Sequence, residues 1–176
     1  MKYIYPTKIF LKNAASKIGS EKYLEYFEKW DNKTFSYYYE KYISKMLVSR
    51  YKSLRESIAN RVRSAIFGVF EENDLSQINT KSTARDIVKW KLSVNVKNMF
   101  RKLNEKISNE SSMTWCSLII KRSWPNASRL SEEKVAYIFT ICKYILNPKT
   151  DSIKIEDDVI CKMINRILVS FKCKFY

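Results

Sequence analysis

The chain contains no histidine, only two glycines and only three prolines among its 176 residues. Without an imidazole there is no Ser-His or Cys-His nucleophile pair, no histidine general base, and no HExxH or Cys₂His₂ zinc site. With Gly19 and Gly68 as the sole glycines, neither a GxxxxGK[ST] phosphate loop nor a GxGxxG dinucleotide turn exists, so no nucleotide cofactor is expected. Cys116, Cys142, Cys161 and Cys173 stand singly with no CxxC pair, which points to free, mostly buried thiols and to no metal site. No apolar run reaches 18 residues and the first segment has no signal-peptide core. The expectation is an intracellular protein of the cytoplasm or nucleus of a host cell, neither secreted nor bound to a membrane. The triplets at Asn32, Asn109 and Asn126 therefore carry no weight as glycosylation sites.

What the chain has in surplus is positive charge, with 33 Lys plus Arg against 18 Asp plus Glu and a formal net charge of +15. Hydrophobic residues make up 45% and aromatics 14%, enough for a packed core, so the charge does not mark a disordered tail. The length suits a single all-helical domain (1–176), divisible at most into lobes 1–72 and 80–176, that buries about 70% of its unfolded surface. The surplus of Lys, Ile, Asn, Tyr and Phe over Gly, Ala and Pro is that of an AT-rich genome, as in many viruses, parasites and low-GC bacteria.

Scarce glycine and proline together with 3.6-residue periodicity predict an all-α fold, a bundle of about six to seven helices bounded by caps. Pro6 opens a first helix that Gly19 closes, and Ser20 caps a second running from Glu21 to about Trp30. Thr34 is the next N-cap candidate. Residues 35–70 then form the spine, either unbroken or interrupted near Gly68 or the Tyr37-Tyr38-Tyr39 run. Ile43, Leu47, Tyr51, Leu54, Ile58, Val62, Ala65 and Val69 recur at steps of three or four, one amphipathic face. After the polar stretch 71–80, where a lobe boundary is placed, Thr83-x-x-Asp86 resembles a capping box and starts a helix to about Ser108. Its face is Val88, Leu92, Val96, Met99, Leu103 and Ile107; the alternation Trp90-x-Leu92-x-Val94-x-Val96 also suits a strand, but no second such run exists to pair with it. Ser111 or Ser112 caps a helix to Trp124. Ser131 opens the buried central helix (132–146), apolar around most of its circumference. Asp157 and Asp158 begin the last helix, whose face is Ile160, Met163, Ile164, Ile167, Leu168 and Phe171, with Lys172 and Lys174 at its end.

The charge is spread through the folded segments. Residues 1–70 hold 14 cations against six acids, a net of +8. On a 100° wheel Lys41, Lys45, Lys52, Arg55 and Arg63 fall within about 80° of one another and span about 33 Å, with Arg50 and Arg61 flanking the apolar side. Glu40 and Glu56 are the nearby acids. A basic ridge of this kind tracks phosphates without reading bases. Arg85 and Lys89 belong to a second, more dispersed basic segment that also includes Lys91, Lys97, Arg101 and Lys102. The candidate nucleic-acid-binding residues are thus Lys41, Lys45, Arg50, Lys52, Arg55, Arg61, Arg63, Arg85 and Lys89. Tyr37, Tyr38, Tyr39, Tyr42 and Tyr51 sit among them. Rings of this kind stack on unpaired bases, but helix packing is the expectation for these tyrosines and for Trp30, Trp90, Trp115 and Trp124.

The first expectation is therefore a non-catalytic nucleic-acid-binding protein that recognises the phosphate backbone, RNA ahead of DNA, with no zinc-finger, homeodomain or basic-zipper motif to read sequence. A viral nucleoprotein, packaging protein or double-stranded-RNA-sequestering protein fits the size and codon bias. The alternative is a helical-bundle interaction module that binds an acidic protein surface, or an amphipathic helix in an apolar groove walled by residues 135–146. Long amphipathic helices also permit self-association. A carboxylate-based phosphodiesterase is disfavoured, since Glu71-Glu72, Glu132-Glu133 and Asp157-Asp158 each fall where helix ends or turns place acids.

Overall fold

A computed structural model of the protein describes residues 4–70, 75–125 and 130–172, the side chains of 170–172 excepted. The Glu71-Glu72 pair, Asn126, Cys173, Lys174 and the side chains of Phe171 and Lys172 lie outside the described residues. Regular structure among the described residues is helical: α1 (Lys8–Lys22), α2 (Leu24–Phe27), α3 (Asn32–Tyr38), a π-helical turn (Tyr39–Ile43), α4 (Ser44–Phe70), α5 (Ala84–Leu92), α6 (Val94–Lys102), α7 (Trp115–Ser123), α8 (Glu132–Leu146) and α9 (Asp157–Lys172). The chain divides into two compact units, Tyr3–Glu56 and Ser57–Tyr176, and the division falls inside α4 rather than in the polar stretch 71–80.

In the first unit Thr7 caps α1, its hydroxyl accepting from the Phe10 N–H at 3.1 Å. Helix α1 runs straight through Gly19, which therefore does not end it. The Phe27 ring lies on this glycine so closely that a Cβ there would sit 1.9 Å from the nearest ring carbon. Gly19 is thus a seat for Phe27, and the segment after Tyr23 is a single turn, α2, instead of a helix to Trp30. Asp31, not Thr34, caps α3, its carboxylate accepting from the Thr34 N–H at 2.7 Å. Leu11, Phe35 and Tyr39 form the buried centre, ringed by Ala15, Phe27, Trp30, Ile43, Leu47 and Tyr51. The interruption expected near the tyrosine run exists as the π turn, where the Ser44 N–H bonds the Tyr39 carbonyl five residues back. Gly68, by contrast, lies within unbroken α4.

The second unit uses the rest of α4, with Ile58, Ala59, Val62, Ala65, Ile66, Phe67, Val69 and Phe70 buried. Phe67 meets Trp90 and Phe70 meets Trp115, at ring distances of 6.1 and 5.4 Å. Thr83 caps α5 as the sequence predicts, accepting from the Asp86 N–H while donating to the Asp86 carboxylate at 2.6 Å. The helix expected to reach Ser108 instead stops twice. Ser93 takes an extended backbone (ψ 152°) and caps α6 through its hydroxyl. After Lys102 the chain turns back through a bridge between Lys106 and Thr114, and Thr114 rather than Ser111 or Ser112 caps α7. This phase break leaves Leu92 exposed and buries Ile87, Trp90 and Lys91. Helix α8 is the buried central helix, packed against α6, α7 and α9. Its apolar residues Ala136, Ile138, Ile141, Cys142, Ile145 and Leu146 are buried, while Val135 and Phe139 are half-buried. Cys116 and Cys142 are buried free thiols and Cys161 is half-buried; burial pushes the Cys142 thiol well up, and its contact with Cys116 adds to this.

Lys91 is fully buried, so it is withdrawn from the second basic segment. Its ammonium donates to the carbonyls of Tyr144 (3.0 Å) and Ser152 (2.7 Å) and to the Thr150 hydroxyl, so one cation ties α5 to the end of α8 and the loop that follows. Burial pushes its pKa down from 10.5 to about 8, against the opposing pull of Asp151. The folded chain then holds fewer protons than the unfolded chain between those two values, so this lysine makes stability rise with pH across that window. We expect Lys91→Met to cost about 1–3 kcal/mol at pH 7, because two carbonyls and a hydroxyl lose their donor. Urea titrations from pH 7 to 10.5 should show the wild type gaining stability relative to the variant above about pH 8.

Candidate nucleic-acid interface

In the first unit Lys41, Lys45, Arg50 and Lys52 are exposed, while Arg55 is half-buried. Lys45 and Lys52 are seven residues apart on α4, which places them on one face about 10 Å apart. Arg50 is on a different face. Lys41 stands in the π turn, whose wider coil breaks the 100° step that aligned it with Lys45 in the expected ridge. Arg55 is engaged in the fold: its guanidinium lies 4.6 Å from the Tyr5 ring centre and donates to the Ile4 carbonyl at 3.4 Å. An ion pair does occur between Lys17 and Glu21, at 3.8 Å on exposed side chains of α1. Lys45, Arg50 and Lys52 take part in none among the described residues.

In the second unit Arg63 is half-buried, donating to Asn60 Oδ1 (2.9 Å) and to the Ile153 carbonyl (3.4 Å), and burial pushes its pKa down. Its Nε is buried without a partner. Arg61 is exposed and lies 4.4 Å from the Trp124 ring centre, with Lys134 5.4 Å from the same ring. It borders a cleft of about 470 Å³ together with Asn60, Ser64 and Arg122. Arg85 and Lys89 are exposed on α5, one turn apart. The row of five aligned cations is therefore not a uniform ridge. Burial of α4 beyond Glu56 recruits Arg63 into the fold, and Arg55 is recruited just before it, so of the candidate binding residues in the first unit those left exposed are Lys41, Lys45, Arg50 and Lys52.

The tyrosines depart from the expectation of packing. Tyr39 is buried and Tyr51 packs at the edge of the core, but Tyr37, Tyr38 and Tyr42 are 57%, 39% and 57% exposed. Trp30 stacks on Tyr38 with centres 4.8 Å apart and planes 11° apart, and Tyr38 stacks on Tyr42 at 5.9 Å and 24°. Tyr37 meets Tyr38 edge-on at 83°. The Lys41 ammonium lies 5.1 Å from both the Tyr37 and Tyr42 ring centres and donates to the Tyr37 hydroxyl at 2.8 Å. Those hydroxyls push the Lys41 pKa up, Tyr37 foremost, so the ammonium stays charged. Sequence spacing held this signal, since Tyr38 and Tyr42 are four apart on a helix; which rings face solvent depends on where the core sits. No protein family matches the chain, and neither a curated protein nor a solved structure shows significant similarity to it.

The two kinds of cation separate under mutation. Arg55→Gln and Arg63→Gln should each lower thermal stability by about 1–2 kcal/mol, since each removes a hydrogen bond from a carbonyl in a partly buried site. Lys45→Gln and Lys52→Gln should stay within about 0.5 kcal/mol of the wild type in the same melts.

Proposed function

We propose that this chain is a non-catalytic nucleic-acid-binding protein that holds the phosphate backbone through Lys41, Lys45, Arg50 and Lys52, with RNA favoured over DNA. The observation that carries the reading is that Lys45, Arg50 and Lys52 are exposed and form no ion pair among the described residues, in a chain of net charge +15. Ordinary solvated helices often place acids at i+4 beside such cations. Here Glu56 at that position follows Lys52, yet forms no ion pair with it among the described residues. Contacts to phosphate carry no sequence information, so the binding is sequence-tolerant. RNA is favoured because it offers unpaired bases beside its phosphates, and this basic segment carries exposed aromatic rings among its cations. Arg61, Arg85 and Lys89 supply further exposed positive charge on the second unit. A nucleoprotein or packaging role in a virus is the setting that size and codon bias suit.

Counterion release gives the test a magnitude. Four cations on phosphates give a slope of log affinity against log salt of about −3 for single strands and about −3.6 for duplexes. Fluorescence anisotropy with labelled RNA from about 50 to 200 mM salt should return that slope, and the triple variant K45E/R50E/K52E should lose at least tenfold in affinity. No binding by the wild type at the lowest salt, or a triple variant that binds equally well, contradicts the proposal.

A further inference from the structure

The basic segment and the aromatic rings occupy the same stretch of chain, and the rings are arranged in a way that a core does not require. Phe35 and Tyr39 turn inward to Leu11, while Tyr37, Tyr38 and Tyr42 point out to solvent from the same two turns. Trp30 anchors the outward set: it packs on the core beside Phe27, at 5.2 Å between ring centres, and carries Tyr38 on its face. Tyr42 continues the stack and is the most exposed of its three rings. An exposed pile of parallel rings leaves apolar area in water, which marks an interaction surface. A π turn coincides with it, a rare feature that frequently occurs at functional sites.

Charge identifies the occupant. Residues 29–52 carry six Lys or Arg against two acids, and one of those acids, Asp31, is committed to capping α3. The occupant is therefore anionic, and a flat, stacked ring face accepts another flat ring. We infer that the stacked rings of Trp30, Tyr38 and Tyr42, with Lys41 beside them, form a platform on which unpaired bases stack, so that single-stranded RNA is the preferred ligand. This rests on the phosphate-binding reading above: Lys45 and Lys52 hold the backbone, and the rings discriminate unpaired from paired bases, because a duplex keeps its base faces internal. The preference is sequence-tolerant, since every base has a ring face.

The test uses the full chain with a labelled 12-nucleotide single-stranded RNA and a blunt 12-base-pair RNA duplex at about 100 mM salt. Tyr42→Ala and Tyr38→Ala should each weaken single-strand binding about tenfold and change duplex binding less than twofold, while Tyr42→Trp should keep single-strand affinity. Circular dichroism and a melting curve establish that each variant is folded, and Tyr42, at the solvent end of the stack, is the substitution least exposed to that concern. If the wild type binds the duplex as well as the single strand, and Tyr42→Ala leaves both unchanged, the platform is overturned while the backbone reading stands. If neither RNA binds, both fall. Displacement of the single strand by an oligoglutamate at equal charge concentration, with the same potency as unlabelled RNA, overturns the platform in favour of an acidic protein ligand.

Discussion

One helix has to serve two cores. The apolar face that begins at Ile43 and ends at Val69 is too long for the small N-terminal cluster, so its first part borders Leu11, Phe35 and Tyr39 and its second part is buried in the larger unit. The consequence for the cations on the opposite side follows from burial alone. Beyond Glu56, six of the next ten residues through Ile66 are buried or half-buried, and a cation set among them must find partners, because an unpaired buried charge is costly. Arg63 finds Asn60 and the Ile153 carbonyl. Before Glu56 the helix is only half covered, so Lys45, Arg50 and Lys52 remain in water with their charge available.

The same partition governs the aromatic residues. In the first unit Tyr37, Tyr38 and Tyr42 stay 57%, 39% and 57% exposed, Tyr38 being covered in part by Trp30 and Tyr42. Lys41 bridges them through its ammonium, uniting the cationic and the aromatic features in a single turn of chain. Phosphate attraction and ring stacking are complementary in range: charge acts over about 8 Å at physiological salt, whereas stacking needs contact. On the proposed reading, such a surface would draw a polyanion by its charge and sort it by whether its bases are free.

Much of the fold was legible. Thr83-x-x-Asp86, the burial of 132–146 and the periodic face of 35–70 appear where the spacing put them, because caps and 3.6-residue periodicity are local properties. The errors have physical causes. Gly19 resembled a helix end, since glycine disfavours helix interiors, yet here it makes room for Phe27. Ser93 is masked in the sequence because its neighbours keep the apolar rhythm, while its hydroxyl caps a new helix. A lysine such as Lys91 reads as a surface residue, since lysines are almost never fully buried; only the carbonyls that the chain gathers around it, 53 and 61 residues away, hold it inside. The candidate site was legible as a charge row and not as a surface. The wheel could count Lys41, Lys45, Lys52, Arg55 and Arg63, but tertiary contacts decided which of them stayed exposed.

Amine labelling with a lysine-reactive ester, read residue by residue by mass spectrometry with and without single-stranded RNA, tests the central claim most directly. The account predicts that Lys45 and Lys52 label readily in the free protein and lose reactivity when RNA is added, while the buried Lys91 stays unlabelled throughout. Equal labelling of Lys45 and Lys52 in both states, under conditions where RNA is bound, would contradict it.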